Sequence, residues 1–372
     1  MKYYIIAGER SGDLHAGNLV KEIRSLDPSS VFRGFGGDFM EKAGVELAVH
    51  YRDMAFMGLV EVLTNMNKIR KYVKLCRNDI LAYRPDVIIL IDYGGFNLQI
   101  ARFGKRNGFK IFYYIPPKYW AWYQNRALWL KPYVDRLFVI LPFEKEFFKK
   151  FNWKAEYVGN PVLDAVKAHV PDKDFMTRHN LREGTPLVAL LPGSRKQELQ
   201  RIIPLMAKVA RKTPEKLFGV AAVNNLDRAL YKEISDLENV RMIFEDTYNL
   251  LLHSSAAIVT SGTATLETAL FRVPQVVVYR ANRITYLLVK MIIKVQFISL
   301  VNLIAGKEVV KEFIQSAANP ERVAAELQQL VSDGSYRTEM LSGYDEVIRT
   351  LDTGSASENT AKLMVQGLQS ET

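Results

Sequence analysis

Cysteine is nearly absent: the 372-residue chain has one, Cys76. No intrachain disulfide can form, which excludes a disulfide scaffold and fits a reducing compartment. Histidine is scarce as well, and the five residues at 15, 50, 169, 179 and 253 show no metal-ligand spacing. Long apolar runs are missing. The greasiest stretch, 284–306, is interrupted by Lys290, Lys294, Gln296 and Asn302, whereas a spanning helix needs about 20 mostly apolar residues. No transmembrane helix is therefore expected. The opening MKYYIIAGERSGD has too short an apolar run for a secretory signal, because Glu9, Arg10 and Asp13 follow at once. There is no internal repeat, no GxGxxG fingerprint to support a dinucleotide cofactor, and no aromatic RNA-binding motif.

What is present is an ordinary globular balance of 48% hydrophobic and 24% charged residues, which excludes disorder. The net charge of +10 predicts anionic partners: nucleic acid, an anionic membrane surface or a phosphorylated substrate. Charge alone does not choose among them. Short apolar runs alternate with helical patterns. The first series is Lys2–Ala7, Val31–Gly34, Val87–Ile91, Ile111–Ile115 and Arg136–Ile140; the second is Leu187–Leu191, Leu217–Val223, Arg241–Phe244, Ala257–Thr260 and Gln275–Tyr279. Runs without alternation are strands buried on both faces of parallel sheets. Two series predict two doubly wound α/β domains, with the break at 160–185, where Pro161 and Pro171 punctuate a polar run. Near the end, Ala361, Met364, Val365 and Leu368 form one apolar helical stripe that must dock somewhere.

Four turns can carry chemistry. AGERSGD (7–13) offers a tight glycine turn and helix amides that favour an anion; its bland reading is a helix cap by Ser11 or Asp13. Glu9 would repel phosphate, so it suits a hydroxyl or sugar. Asp92 ends the apolar strand of VIILIDYGGFN (87–97), where ligands of open α/β sheets bind. It suits a general base, and equally a helix cap. In LLPGSR (190–195), Gly193, Ser194 and Arg195 present amides, a hydroxyl and a guanidinium able to stabilise a diphosphate leaving group. TSGTATLE (260–267) opens a helix with Ser261, Gly262, Thr263 and Thr265. There Glu267 can accept from ribose hydroxyls, or merely lie on a solvated face. Outside these turns, the apolar Met54, Phe56, Met57 and Val60 precede a basic stretch with Lys68, Arg70, Lys71 and Lys74. That pairing suits an anionic lipid surface, and also fits a core segment followed by an ordinary surface helix.

The segments AGERSGD, MGLVEVL, LIDYGGFN, YWAW (119–122), LPFEKEFF (141–148), VGNPVLD, LLPGSR, SGTATLE and SLVNLIAGKEVVKE (299–312) resemble the lipid-A-disaccharide synthase family in order and spacing, over nearly the whole chain. The resemblance implies a GT-B fold, an α/β architecture of two Rossmann-like doubly wound domains facing a cleft, with the C-terminal helix crossing back to the N-terminal domain. Residues 1–168 plus about 346–372 would form the acceptor and membrane-facing domain, and 169–345 the UDP-sugar domain. It implies an inverting, metal-independent hexosyltransferase without cofactor. The reaction would join UDP-2,3-diacylglucosamine to 2,3-diacylglucosamine 1-phosphate, giving a β(1→6) disaccharide and UDP. The implied place is the cytoplasmic face of a Gram-negative inner membrane. The implied partners are donor, acceptor and the anionic membrane surface, not nucleic acid, with monomer and homodimer both open.

Carried over by position, Asp92 matches the family's base, Arg195 its diphosphate ligand, Asn302 the asparagine of the NLxAG motif and Glu9 the first-turn glutamate, catalytic or positional. The donor set is Ser11, Gly12, Gly193, Ser194, Ser261, Gly262, Thr263, Thr265 and Glu267, with Thr247 and Tyr248 against uracil by analogy. Met54, Phe56, Met57, Val60, Lys68, Arg70, Lys71 and Lys74 would face acceptor or membrane. The chain departs from the family where Gly94-Gly95 precedes Phe96-Asn97 in place of Pro-Asp, which removes a second carboxylate. The competing readings are another UDP-sugar enzyme of this fold, a 2-epimerase or soluble-acceptor transferase, and a non-catalytic basic peripheral membrane protein.

Overall fold

The apolar runs become strands of two parallel sheets, all but the one at Val240–Phe244 central. The computed structural model describes residues 1–53, 66–181, 184, 186–282 and 295–370. The first sheet comprises β1 (Lys2–Ala7), β2 (Val31–Gly36), β3 (Glu46–His50), β4 (Val87–Ile91), β5 (Lys110–Tyr114), β6 (Arg136–Val139) and β7 (Ala155–Tyr157). Its order is β3-β2-β1-β4-β5-β6-β7. The second comprises β8 (Leu187–Leu191), β9 (Leu217–Ala222), β10 (Val240–Phe244), β11 (Ala256–Thr260), β12 (Gln275–Tyr279) and β13 (Glu312–Ile314), ordered β10-β9-β8-β11-β12-β13. Among the described residues all pairings are parallel, as in β1 with β4 and β8 with β11.

β3, β7 and β13 were not expected from the sequence. All three are edge strands. A strand at an edge is half solvated and short, so Glu46–His50, Ala155–Tyr157 and Glu312–Ile314 carry glutamates instead of an unbroken apolar run.

The chain divides into Met1–Pro161 with Thr353–Thr372, and Val162–Asp352. The first division falls earlier than the expected 168/169, so nearly all of the helix Pro161–Lys167 lies in the second unit, where Lys167 pairs with Asp352 at 2.7 Å. The second falls later than 345/346. The helix Ser335–Leu351 keeps burying Val347 and Leu351 to its end, so all of it stays with the second unit.

The first core forms where the helix Arg10–Leu26 turns Ala16, Leu19, Val20 and Ile23 onto the sheet, a 3.6-residue stripe. The last helix, Ala356–Gln369, adds Ala361, Met364, Val365 and Leu368 to that same core. The expected return of the C-terminal helix is thus present within the first unit. In the second unit Leu187, Ala189, Leu191, Leu250 and Val259 form a comparable core.

Candidate functional site

Each sheet reverses its strand order once, between β1 and β4 in the first unit and between β8 and β11 in the second. Ligands of open α/β sheets bind outside the carboxyl ends of strands at such points. The four turns singled out in the sequence fall there, two on each unit.

In the first unit the β1 turn packs on the β4 turn. A Cβ on Gly8 would sit 2.2 Å from the Tyr93 ring, so only glycine fits. Glu9 precedes the helix Arg10–Leu26 in extended conformation and makes no side-chain cap bond. Burial, then the charge of Glu9, raises the Tyr93 phenol pKa, which places that carboxylate within electrostatic range of the ring. Asp13 is wholly buried and caps a different helix from the one expected. Its carboxylate accepts from the backbone N–H of Gly37 at 2.7 Å, Phe39 at 3.0 Å and Met40 at 3.1 Å, at the start of Asp38–Lys42. Ser11 is exposed and Gly12 buried.

Asp92 and Tyr93 both lie in the left-handed region, with φ of 47° and 48°. Such positions cost non-glycine residues of order 1–3 kcal/mol each and persist where the surroundings over-determine them. Here the surroundings are visible. The Asp92 carbonyl accepts from the Tyr113 hydroxyl at 2.6 Å and from Asn97 Nδ2 at 2.7 Å, and the Asp92 N–H donates to the Ile115 carbonyl at 3.2 Å. Burial first, then Tyr119 and Asp92, hold the Tyr113 phenol well above its ordinary pKa, so it stays a donor. Asn97 and Tyr113 were not singled out in the sequence. Asn97 had a signal, a polar residue on the buried face of the helix Gly94–Arg106; Tyr113 had none, because its reach depends on sheet register. At Gly95 an added Cβ meets nothing within 4 Å, so the loss of the family's carboxylate has no steric cause at that position.

In the second unit Gly193 has φ +97°, and a Cβ there would lie 2.3 Å from Glu198 Oε2. That carboxylate accepts from the N–H of Ser194 at 3.2 Å and of Arg195 at 3.3 Å. The two amides expected to meet a diphosphate are therefore taken by Glu198, in the first turn of the helix Lys196–Lys212. What remains outward is the exposed Ser194 and the Arg195 side chain, 72% exposed and 3.7 Å from Glu198.

Beside it, the Ser261 hydroxyl donates to the Ile298 carbonyl at 2.8 Å, Thr263 is exposed and Gly262 leaves open space. Tyr248 donates to Glu267 Oε1 at 3.0 Å, which joins the helix Thr247–Leu252 to the helix Thr263–Leu270. Burial raises the Glu267 carboxyl and this hydrogen bond opposes it.

Two expected site residues are corrected. Thr265 is fully buried; its hydroxyl donates to the Gly262 carbonyl at 2.8 Å and accepts from Leu300 N–H at 3.2 Å. Asn302 is fully buried too. Its Nδ2 donates to the Val310 carbonyl and to Glu312 Oε1, both at 2.9 Å. Its Oδ1 accepts from the N–H groups of Val309 at 2.7 Å and Val310 at 3.0 Å. With every amide position spent on protein, Asn302 is a brace, not a group that touches substrate. Glu312 completes the brace by accepting from the N–H groups of Ile298 and Ser299, both at 2.9 Å.

Met54, Phe56, Met57 and Val60 lie outside the described residues. Lys68, Arg70, Lys71 and Lys74 are exposed on the helix Met66–Tyr83, whose other face buries Val73, Cys76 and Ile80. Among the described residues no helix is long and apolar enough to cross a membrane, and no group of three His, Cys, Asp or Glu residues could hold a metal ion.

Residues 3–365 match the family model described as lipid-A-disaccharide synthetase. The chain is 40% identical to the lipid-A-disaccharide synthase of Syntrophus aciditrophicus over 96% of this chain and 95% of that one. It is 34% identical to the Coxiella burnetii protein of the same name, over 97% and 96%. In structure it is similar to the UDP-GlcNAc 2-epimerase of Neisseria meningitidis, with TM-score 0.68, 13% identity and both chains covered fully. The glycotransferase of kitacinnamycin gives TM-score 0.68 and 13% identity, with 99% of each chain covered. At such identities these structures show the fold alone, the GT-B fold.

Proposed function

The chain belongs to the lipid-A-disaccharide synthetase family, and from that premise we propose the donor, acceptor and residue roles of its reaction. It is a hexosyltransferase of lipid A disaccharide synthesis. The donor is UDP-2,3-diacylglucosamine and the acceptor 2,3-diacylglucosamine 1-phosphate. The acceptor 6-hydroxyl attacks the anomeric carbon, the bond from that carbon to the diphosphate oxygen breaks, and UDP leaves with inversion. Asp92 takes the hydroxyl proton, help worth about 10²–10⁴-fold. Arg195 carries the diphosphate charge as it develops, a role suited to a bidentate guanidinium. Tyr248 and Glu267 hold the nucleoside, and Glu9 positions or assists the acceptor.

The observation that supports these roles best is the doubly left-handed turn at Asp92 and Tyr93, held by Tyr113 and Asn97 at a topological switch point. Fixing a reacting group to within fractions of an ångström is what such strain is kept for. Peripheral binding at the cytoplasmic face of the inner membrane is supported by the net charge of +10 and the exposed basic face of Met66–Tyr83.

The deciding experiment is a product assay. Protein in detergent micelles receives both diacylated substrates in the presence of EDTA, and mass spectrometry seeks disaccharide and UDP. Both products establish the transfer and its metal independence. UDP-sugar consumed without disaccharide would replace this reading by an epimerase or a different acceptor.

A further inference from the structure

Three of the four tryptophans, Trp120, Trp122 and Trp129, fall between Pro116 and Val134. That stretch also holds Lys118, Arg126 and Lys131, and no aspartate or glutamate. Its inner residues are anchored. Trp120 is buried, donates from Nε1 to Glu144 at 3.0 Å and packs edge-on to Phe143 at 5.1 Å. Ala127 and Leu130 are buried, and Lys131 Nζ donates to the Phe151 carbonyl at 3.0 Å. The outer residues face water: Trp122, Tyr123, Leu128 and Trp129 are 52%, 50%, 48% and 59% exposed. The Arg126 guanidinium lies 4.6 Å from the Tyr123 ring centre and 5.7 Å from that of Trp129, which ties two rings into one patch. Among the described residues the large exposed aromatics are confined to this stretch; the others are single aliphatics such as Val170.

We propose that this loop is a lipid-docking surface, with Trp122 and Trp129 seated at the headgroup level of an anionic bilayer and Lys118 and Arg126 over the lipid phosphates. Indole and phenol rings favour that depth because the ring body leaves water while its polar edge stays wet. Cations without any neighbouring acid in the stretch match an anionic surface, each basic group near it adding attraction. The rigid anchoring of Trp120 keeps the exposed rings from collapsing onto the protein. The inference deepens the peripheral-membrane part of the proposed function, and names a surface separate in sequence from the helix Met66–Tyr83.

The test uses the full chain, as wild type, as Trp122→Ser/Trp129→Ser, and as Lys68→Glu/Lys71→Glu/Lys74→Glu. Each is sedimented with phosphatidylcholine vesicles with and without phosphatidylglycerol, and wild type is also titrated with vesicles carrying brominated acyl chains. The expected result is wild-type binding to the anionic vesicles, at least about tenfold weaker for the tryptophan variant, with bromine quenching that the variant loses. Wild-type binding matched by the tryptophan variant, but lost in the lysine variant, overturns this surface and leaves peripheral binding standing. No vesicle binding by wild type overturns both. Wild type that dimerises in ultracentrifugation while the tryptophan variant is monomeric, with equal vesicle binding, assigns the patch to a second copy and also overturns the proposal. Disaccharide formation in micelles is expected to be unchanged in the tryptophan variant, which keeps the transferase reading separately testable.

Discussion

At the β1/β4 edge two non-glycine residues, Asp92 and Tyr93, are forced left-handed and side chains from β5 and the next helix hold them. At the β8/β11 edge the turn after β8 takes its left-handed φ at Gly193, and carboxylates cover the backbone: Glu198 on the amides of Ser194 and Arg195, Glu312 on those of Ile298 and Ser299. The first edge spends hydrogen bonds to keep one strained turn. The second covers its backbone amides and presents side chains. Strain with a clamp suits a group that must meet a reacting atom; a covered turn with an outward arginine suits a ligand that arrives with its own charge.

The sharpest way to break this contrast is Asp92→Asn. It is expected to lower kcat about 10²–10⁴-fold with UDP affinity unchanged by calorimetry; near wild-type turnover would leave the strained turn without a catalytic purpose. Next in size is a buried carboxylate of the first unit. Burial pushes the Glu144 carboxyl up to about 7, against hydrogen bonds from Leu141, Trp120 and Ile140. A folded pKa above the unfolded one means that the folded state binds the extra proton. Stability should then fall by about 3 kcal/mol in total as pH rises from the ordinary glutamate range through about 7. Denaturant titrations across that window measure the slope, and Glu144→Gln should flatten it whatever its effect on absolute stability.

On the second edge, Arg195→Ala should cost about 1.5–3 kcal/mol, roughly ten- to hundredfold in donor kcat/KM, the worth of a charge-assisted bond. Unchanged donor kinetics would turn the guanidinium away from the diphosphate. The smallest effect sharpens the clamp itself. Tyr113→Phe removes one of two donors to the Asp92 carbonyl, and should lower kcat by roughly fivefold, about 1 kcal/mol, with acceptor KM unmoved. A loss of melting temperature with kcat intact would reduce Tyr113 to a structural partner.

Much of this was legible in the residues. Val87–Ile91 and Leu187–Leu191 announce buried parallel strands, and the turns after them lie where a doubly wound sheet places its ligands. The edge strands β3, β7 and β13 were not legible, since half-solvated strands need no apolar run, whereas the edge strand β10 kept one and was read. Nor was the division of labour among polar residues. Ser261, Thr265 and Asn302 look alike as hydrogen-bonding side chains, yet only packing shows that Thr265 and Asn302 are consumed inside the protein. Glu198 could have been read: a glutamate three positions after the start of a helix commonly turns back on the first amides. The bond from Tyr113 to Asp92 could not, because it needs the register of β4 against β5.

The last helix bears on synthesis as well as on packing. Met364, Val365 and Leu368 fill the same core as Tyr3, Ile5 and Leu19, so the first unit lacks a wall until the helix Ala356–Gln369 has been translated. The second unit is one continuous stretch, Val162–Asp352, and needs nothing translated after it. The first unit is therefore completed only after the second, and the face of Arg10–Leu26 that awaits its cover is greasy throughout that interval. A chaperone that shields nascent chains would find its longest-lived target there.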